Sequence, residues 1–134
     1  MSWDIFVQDI PPSARRTEDI PHDFDPAPLG VRADIIRSIC EVVPSANFED
    51  PAWGTIDGPD FSIEVNLGNE PVVDGFAFHV RGSGDAVAVI SDILEHLGVR
   101  ALDPGSESGL FEPRAARESF ERWRTYRDQI AGRA

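Results

Sequence analysis

Lysine is absent from the chain, and cysteine occurs once. All 12 basic residues are arginine, which excludes chemistry that needs a lysine nucleophile, Schiff-base formation above all. Because Cys40 stands alone, an intrachain disulfide is impossible. No apolar run approaches the roughly 20 residues of a membrane span, and the first residues lack the basic and apolar regions of a signal peptide. The sequence therefore predicts a cytoplasmic protein.

Positive charge is also scarce. Against the 12 arginines stand 24 acidic residues, so the net charge is -12. Such a field repels nucleic acid and anionic membrane surfaces, and we expect neither as a partner. A basic protein partner would suit it. The chain has 134 residues, 41% of them hydrophobic, which predicts one globular domain covering residues 1–134.

The most regular pattern lies in residues 61–81. Apolar and polar residues alternate strictly in 61–67 and again in 76–81, with a Gly-Asn-Glu-Pro turn between them. Period-two alternation predicts a hairpin with one buried face and one solvated face. Because both strands must share the apolar face, paired residue numbers have an odd sum. A sum of 143 sets Glu64 opposite His79, whereas a sum of 141 sets Ser62 opposite His79.

Other patterns complete the predicted fold. They indicate strands over 2–10 and 51–56, helices over 31–43 and 86–97, a small hairpin of 99–102 with 110–111, and a last helix opened by Pro113. Asp85 is predicted to cap the second helix with its side chain, and Gly98 to end it. The order predicts an α+β fold, a mainly antiparallel sheet with helices on one face. The predicted core comprises Ile5, Ile39, Ile63, Val65, Phe76, Phe78, Ile90, Leu94 and Trp123.

Several motifs invite ligands but favour ordinary structure. His22, Asp23 and Asp25 cluster in a proline-rich connection, residues 11–29, without a regular element to fix them as metal ligands. The Gly82-Ser83-Gly84 stretch lacks the remaining residues of a phosphate-binding loop. Cys40 flanks an apolar stripe and is expected in the core. We therefore predict neither metal nor cofactor.

The solvated sheet face is the candidate binding surface. Its polar set, with one aromatic residue, comprises Asp4, Phe6, Gln8, Glu64, Asn66, His79 and Arg81. Ser62, His79 and Glu64 fall within cross-strand reach, which raises an enzyme hypothesis with Glu64/His79 acid–base chemistry. A flat strand surface offers no oxyanion hole, so a solvated ladder of ion pairs is the favoured interpretation. The arginine-rich last helix either packs on the acidic body or contacts an acidic partner.

Motifs along nearly the whole chain carry a resemblance. They are the opening S-W-D-I-F-V-Q-D-I-P, the internal W-G and G-P-D-F-S-I-E, the V-R-G before the second helix and the L-G-V-R-A-L-D after it. The chain resembles a group of small uncharacterised bacterial proteins. None of these motifs is a catalytic signature and the group has no assigned activity, so no functional residue carries over.

Three functions follow from these observations. The favoured one is a non-enzymatic protein-binding module, immunity-protein-like or regulatory, because small acidic cytoplasmic domains of this kind neutralise basic toxins. The second is a small-molecule sensor with the acidic connection as a lid, which would require a deep apolar pocket. The third is the enzyme described above, which would require a buried carboxylate–histidine pair in a cleft.

Overall fold

The computed structural model describes residues 1–132. This part of the chain forms seven strands and three α-helices, with one 3-10 turn at Thr17–Asp19. The strands are β1 (Trp3–Gln8), β2 (Gly30–Val31), β3 (Trp53–Asp57), β4 (Phe61–Asn66), β5 (Val72–Val73), β6 (Gly75–Gly82) and β7 (Arg100–Leu102). The helices are α1 (Arg32–Val42), α2 (Ala86–Leu97) and α3 (Pro113–Ala131). None of these helices is long and apolar enough to cross a membrane.

Five strands form one antiparallel sheet in the order β3-β4-β6-β1-β7. In the central hairpin of β4 and β6, Glu64 lies opposite His79 and Ser62 opposite Arg81. Of the two predicted registers, the structure therefore has the one with a residue sum of 143. The connection between β4 and β6 is more than a turn, because β5 lies in it and pairs with β2 in a separate ribbon.

The core lies between one face of the sheet and the three helices. Phe78, Ile63 and Val65 project from the sheet and are fully buried, and Ile39 and Ile90 meet them from α1 and α2. Apolar residues at helical spacing on the helices and at alternate positions on the strands produce this arrangement. The predicted α+β class, an antiparallel sheet with helices on one face, is confirmed.

Three details of the sequence prediction are wrong. Cys40, expected in the core, is only partly buried. Trp123 is only half-buried: it stacks on Phe120 with ring centroids 5.7 Å apart, at the border of the core. Its outer side is covered by the Arg127 guanidinium, 5.0 Å from the ring centroid, instead of by another apolar element. Asp85 holds the N-cap position of α2, but its side chain makes no capping hydrogen bond. Its backbone, at φ -89° and ψ 27°, lacks the extended conformation usual for a capping residue.

The end of α2 agrees with the prediction. Gly98 adopts a left-handed conformation with φ 68°, and its backbone N–H bonds the carbonyls of Leu94 and Glu95. A residue without a Cβ adopts this conformation without strain, which is why glycine commonly ends a helix.

The proline-rich connection of residues 11–29 is attached to the body near both ends, and at the far end the Leu29 N–H bonds the Val73 carbonyl at 2.8 Å. Arg100 donates hydrogen bonds to the carbonyls of Pro11 and Ala14, at 2.6 and 2.8 Å. Ala14 also packs with Ile10 and Leu110 in a small second core. The second half, residues 21–28, is largely exposed.

Candidate functional site

The face of the sheet opposite the helices, called the open face here, brings all seven candidate residues together. The antiparallel registers set Gln8 and Phe6 on β1 beside β6, and Asn66 and Glu64 on β4 on its other side. The inward positions of these strands, and the buried positions of the helices, join the core on the other face. The open face carries Asp4, Phe6, Gln8, Trp53, Thr55, Ser62, Glu64, Asn66, His79 and Arg81.

A row of polar residues crosses the middle of the open face. In register order it runs Thr55, Glu64, His79, Asp4. The His79 Nδ1 atom lies 2.7 Å from Asp4 Oδ1, and the Ser2 hydroxyl donates to the same oxygen at 2.6 Å. An ionised carboxylate only accepts hydrogen bonds, so the Nδ1 atom carries the proton in this pair. The carboxylate therefore fixes the ring orientation of His79.

Glu64 has a different partner. Its Oε1 atom accepts a hydrogen bond from Arg81 Nη1, and the two side chains form an ion pair. Glu64 and His79 are cross-strand neighbours, but the carboxylate bound to His79 belongs to Asp4. Within residues 1–132, Ser62 makes no side-chain hydrogen bond to the imidazole. The row thus consists of polar groups, three of them hydrogen-bonded in pairs with Arg81 or with each other, without a nucleophile in contact with a base.

Trp53 is the site residue that the sequence prediction missed. Its ring stacks on His79 with centroids 5.6 Å apart and an interplanar angle of 19°, while 39% of its surface stays exposed. The alternation in β3 was a usable signal, because Gly54 and Ile56 point inward and Trp53 must then point outward. On the inward side of β3, Gly54 leaves room for the Phe48 ring, with which an added Cβ would collide.

A second row, closer to one end of the strands, carries the two exposed aromatic residues. In register order it runs Trp53, Asn66, Ala77, Phe6. Phe6 is 40% exposed. Beside it a shallow cleft of about 340 Å³ opens between Phe6 and Asn66, with Ala77 and Gly75 among its lining residues. The small residues between the two rings leave a trough across the face.

Elsewhere, a cleft of about 500 Å³ lies against the proline-rich connection. Its walls include Pro12 and Pro28 from the connection, Leu97 and Val99 from the end of α2, and Arg100. This is the place that a sensor with the acidic connection as a lid would use. His22, Asp23 and Asp25 lie in the same connection, and among residues 1–132 no group of three or more potential ligands is arranged to hold a metal ion.

A buried polar cluster lies under α3, away from the open face. Asp103 is fully buried, and its Oδ1 atom accepts hydrogen bonds from Ser119 Oγ at 3.0 Å and from the Gly105 N–H at 3.1 Å. Trp3 Nε1–H donates to the same Ser119 hydroxyl at 3.1 Å. Loss of solvent on burial raises the pKa of the Asp103 carboxyl, against the opposing effects of these hydrogen bonds and of Arg122. The cluster fastens α3 to the loop after β7.

Comparison of the chain with protein-family models, with curated proteins and with solved structures gives no match. The open face and its chemistry are therefore the basis on which a function can be proposed.

Proposed function

We propose that the protein is a non-enzymatic protein-binding module whose contact surface is the open face of the sheet. The observation that supports this most is the exposure of two large aromatic residues, Phe6 and Trp53, on a face that also carries paired polar groups. Aromatic anchors set among hydrogen-bonding groups are typical of protein interfaces. Trp53 is held by its stacking on His79, so little side-chain freedom is lost when a partner covers it.

The edges of the sheet are less suited to a partner than its face. Outside β3, Asn47 exchanges two backbone hydrogen bonds with Thr55, each 2.9 Å long. Outside β7, Phe111 donates to the Ala101 carbonyl and Asp103 to that of Gly109, both at 2.9 Å. An added strand needs free backbone groups along an edge. These groups are already engaged, which favours contact through side chains of the open face.

The charge of the molecule suits a basic partner in a cytoplasmic setting. A net charge of -12 accelerates encounter with a positively charged protein and disfavours acidic ones. An immunity-protein-like role, in which the module covers a basic toxin, and a regulatory role both fit this description. The enzyme hypothesis is weaker, because catalysis at His79 needs a nucleophile or an enclosed site beside it, and Asp4 and Trp53 occupy two of its sides.

The test compares two pairs of exposed residues. The partner is first isolated with the wild-type protein and purified, and its Kd is measured by calorimetry. Changing Phe6 and Trp53 together to Ser should weaken binding at least about thirtyfold, the loss expected when interface hot spots of about 2 kcal/mol are truncated. The matched control changes Tyr126 and Ile130 on α3, which are 55% and 41% exposed, to Ser.

The control should leave Kd within about twofold of wild type, because most surface residues outside an interface contribute little. Circular dichroism melting of both variants checks that they remain folded. If the α3 pair weakens binding and the Phe6/Trp53 pair does not, the contact surface lies on α3 and the proposal is wrong.

A sensor role is the second candidate, favoured by the cleft against the proline-rich connection. It predicts that a small molecule binds there and slows amide exchange at Ala27 and Leu29, which form part of its wall. Binding that persists in the Phe6/Trp53 variant would separate this role from the protein-binding role.

A further inference from the structure

The two ends of the open face differ in charge. The row that carries Trp53 and Phe6 lies near one end of the sheet, called the aromatic end here. β3 and β6 start at this end, and β4 and β1 finish there. Among the connections that reach this end, residues 48–52 and 67–74 contain no arginine, whereas β7 begins here with Arg100, opposite Gln8. These two connections carry four exposed carboxylates, called the acidic rim here: Glu49, Asp50, Glu70 and Asp74.

The four carboxylates of the acidic rim outnumber the nearby guanidinium of Arg32, which donates a hydrogen bond to the Gly68 carbonyl at 2.8 Å. In the part of the chain that the structure describes, none of its four side chains takes part in an ion pair. The opposite end of the open face carries charges of both signs, because Asp57 and Asp60 flank the turn between β3 and β4. Arg81 lies there, and Arg127 of α3 donates a hydrogen bond to the carbonyl of Gly82, the last residue of β6. The four rim carboxylates therefore leave an excess of negative charge at the aromatic end.

We propose that the open face binds an extended cationic segment of the partner protein, with arginine or lysine side chains lying over Phe6 and Trp53 and their charged ends directed at the acidic rim. This proposal rests on the proposed function and specifies the chemistry of the partner. A cation is attracted to the face of an aromatic ring and to carboxylates beyond it, so both features select the same kind of side chain.

The protein already contains a contact of this type. The Arg127 guanidinium lies 5.0 Å from the centroid of the Trp123 ring. Trp53 has one face stacked on His79 and is 39% exposed, so part of its ring remains available to a partner. A guanidinium of the partner would lie over the Trp53 ring in the same way as the Arg127 guanidinium lies over the Trp123 ring.

The register gives the spacing of the two cations. Trp53 and Phe6 lie three interstrand steps apart through Asn66 and Ala77, which is about 14 Å at roughly 4.8 Å per step. An extended segment advances about 3.3 Å per residue, so positions i and i+4 span this distance. Both positions point to the same side of an extended chain. We therefore expect two basic residues separated by three others.

The first experiment uses a synthetic peptide with two arginines separated by three serines. Titration into the ¹⁵N-labelled protein should shift the indole N–H resonance of Trp53 and the backbone resonances of Phe6 and Ala77. The Trp3 indole, which is buried and bonded to Ser119, is an internal control that should not move. A peptide with glutamates in place of the arginines should cause no shift.

The second experiment separates a local effect from general attraction to an acidic protein. The rim variant combines Glu49→Gln, Asp50→Asn, Glu70→Gln and Asp74→Asn. Asn at position 50 keeps the oxygen that accepts the Ala52 N–H. The control variant has the same net charge, with four exposed carboxylates changed on or beside α2 and α3: Asp92→Asn, Glu95→Gln, Glu107→Gln and Glu118→Gln.

The rim variant should weaken arginine-peptide binding at least about tenfold and flatten its salt dependence, whereas the control variant should change Kd by less than about twofold. Equal losses in the two variants would mean diffuse attraction and would overturn the proposal. Concentration-dependent shifts of Trp53 without peptide, abolished by neutralising Arg114 and Arg117, would identify a second copy of this chain as the occupant and would also overturn it.

The purified partner distinguishes this inference from the proposed function. If its binding is lost in the Phe6/Trp53 variant but kept in the rim variant, the open face is the contact surface and the cationic chemistry is wrong. If both variants bind like wild type, the proposed function itself fails. Loss of binding in both, with the control variant unaffected, supports both statements.

Discussion

At the scale of single residues, Asp103 is the group whose ionisation most clearly lowers the stability of the folded protein. Its Oδ1 atom has two hydrogen-bond donors, but its Oδ2 atom is buried without a partner. A buried carboxylate loses the water that stabilised its charge, so burial raises the pKa of Asp103 above the ordinary 3.8. No pattern in the sequence indicated this, because Asp103 precedes Pro104 and Gly105 in what is otherwise an ordinary turn.

The first prediction concerns the pH dependence of stability. Between 3.8 and the raised pKa, the folded protein binds more protons at Asp103 than the unfolded chain does. The contribution of Asp103 to the free energy of unfolding must then fall as pH rises through this interval and stay low above it. Asp103→Asn removes this contribution, so the stability of the variant relative to wild type should rise with pH. Urea unfolding at a series of pH values measures it, with exposed Asp92→Asn as control.

If the relative stability of Asp103→Asn does not change with pH, the carboxyl is solvated and the described burial is wrong. The control variant should give no comparable slope.

The second prediction concerns Phe78, which is fully buried at the centre of the sheet. Phe78→Ala removes a ring that contacts Phe76 edge-on, with centroids 5.3 Å apart. It should lower the free energy of unfolding by roughly 3–5 kcal/mol, the usual cost of deleting a buried Phe. Chemical denaturation measures this loss. A decrease under about 1 kcal/mol would contradict the register, in which Phe78 faces Ile5 and Val65.

At the scale of elements, local pattern predicted most of what the structure contains. The predicted helix over 86–97 coincides with α2 (Ala86–Leu97), because its apolar spacing and Gly98 act within one element. The two registers of the hairpin could not be separated, since both bury the same apolar residues. Which carboxylate contacts His79 was likewise unpredictable, because Asp4 comes from β1, whose neighbour in the sheet depends on tertiary structure.

The third prediction concerns the proline-rich connection. Thr17 N–H bonds the Ser108 carbonyl at 2.8 Å and Ala14 N–H bonds that of Pro11 at 3.0 Å, and Arg100 holds the carbonyls of Pro11 and Ala14. We expect fast amide exchange in residues 21–28, where little apolar surface is buried, and slower exchange at Ala14 and Thr17. Arg100→Met keeps an apolar chain of similar length and removes the donors.

Arg100→Met should speed exchange at Ala14 and Thr17 while leaving α2 protected, as hydrogen-exchange NMR would report. Strong protection across residues 18–25 in the wild-type protein, or no change in the variant, would contradict this account of how the connection is attached.

At the scale of the whole molecule, the class of fold followed from the sequence and the site followed only in part. Alternation and helical spacing are local signals, so the number of layers and the identity of the open face could be deduced. The site is made by rows that cross four strands, and those rows depend on strand order. For this reason Phe6 and His79 were predicted on one face, but the place of Trp53 beside His79 was not.

The last prediction separates the stability of the molecule from the function of its open face. Changing Glu64, His79 and Arg81 together to Ala removes the Glu64–Arg81 and Asp4–His79 pairs. These side chains are partly exposed, and such pairs contribute at most about 1 kcal/mol each, against roughly 5–15 kcal/mol for a typical fold. The Tm should therefore fall by only a few degrees, while partner binding weakens because Trp53 loses the ring it stacks on. Thermal melting beside calorimetry tests both halves. Collapse of the fold would mean that the row is structural. Unchanged melting with unchanged binding would instead indicate that the contact surface lies on the exposed side of α3. Four arginines lie there within about three turns of helix: Arg114, Arg117, Arg122 and Arg124.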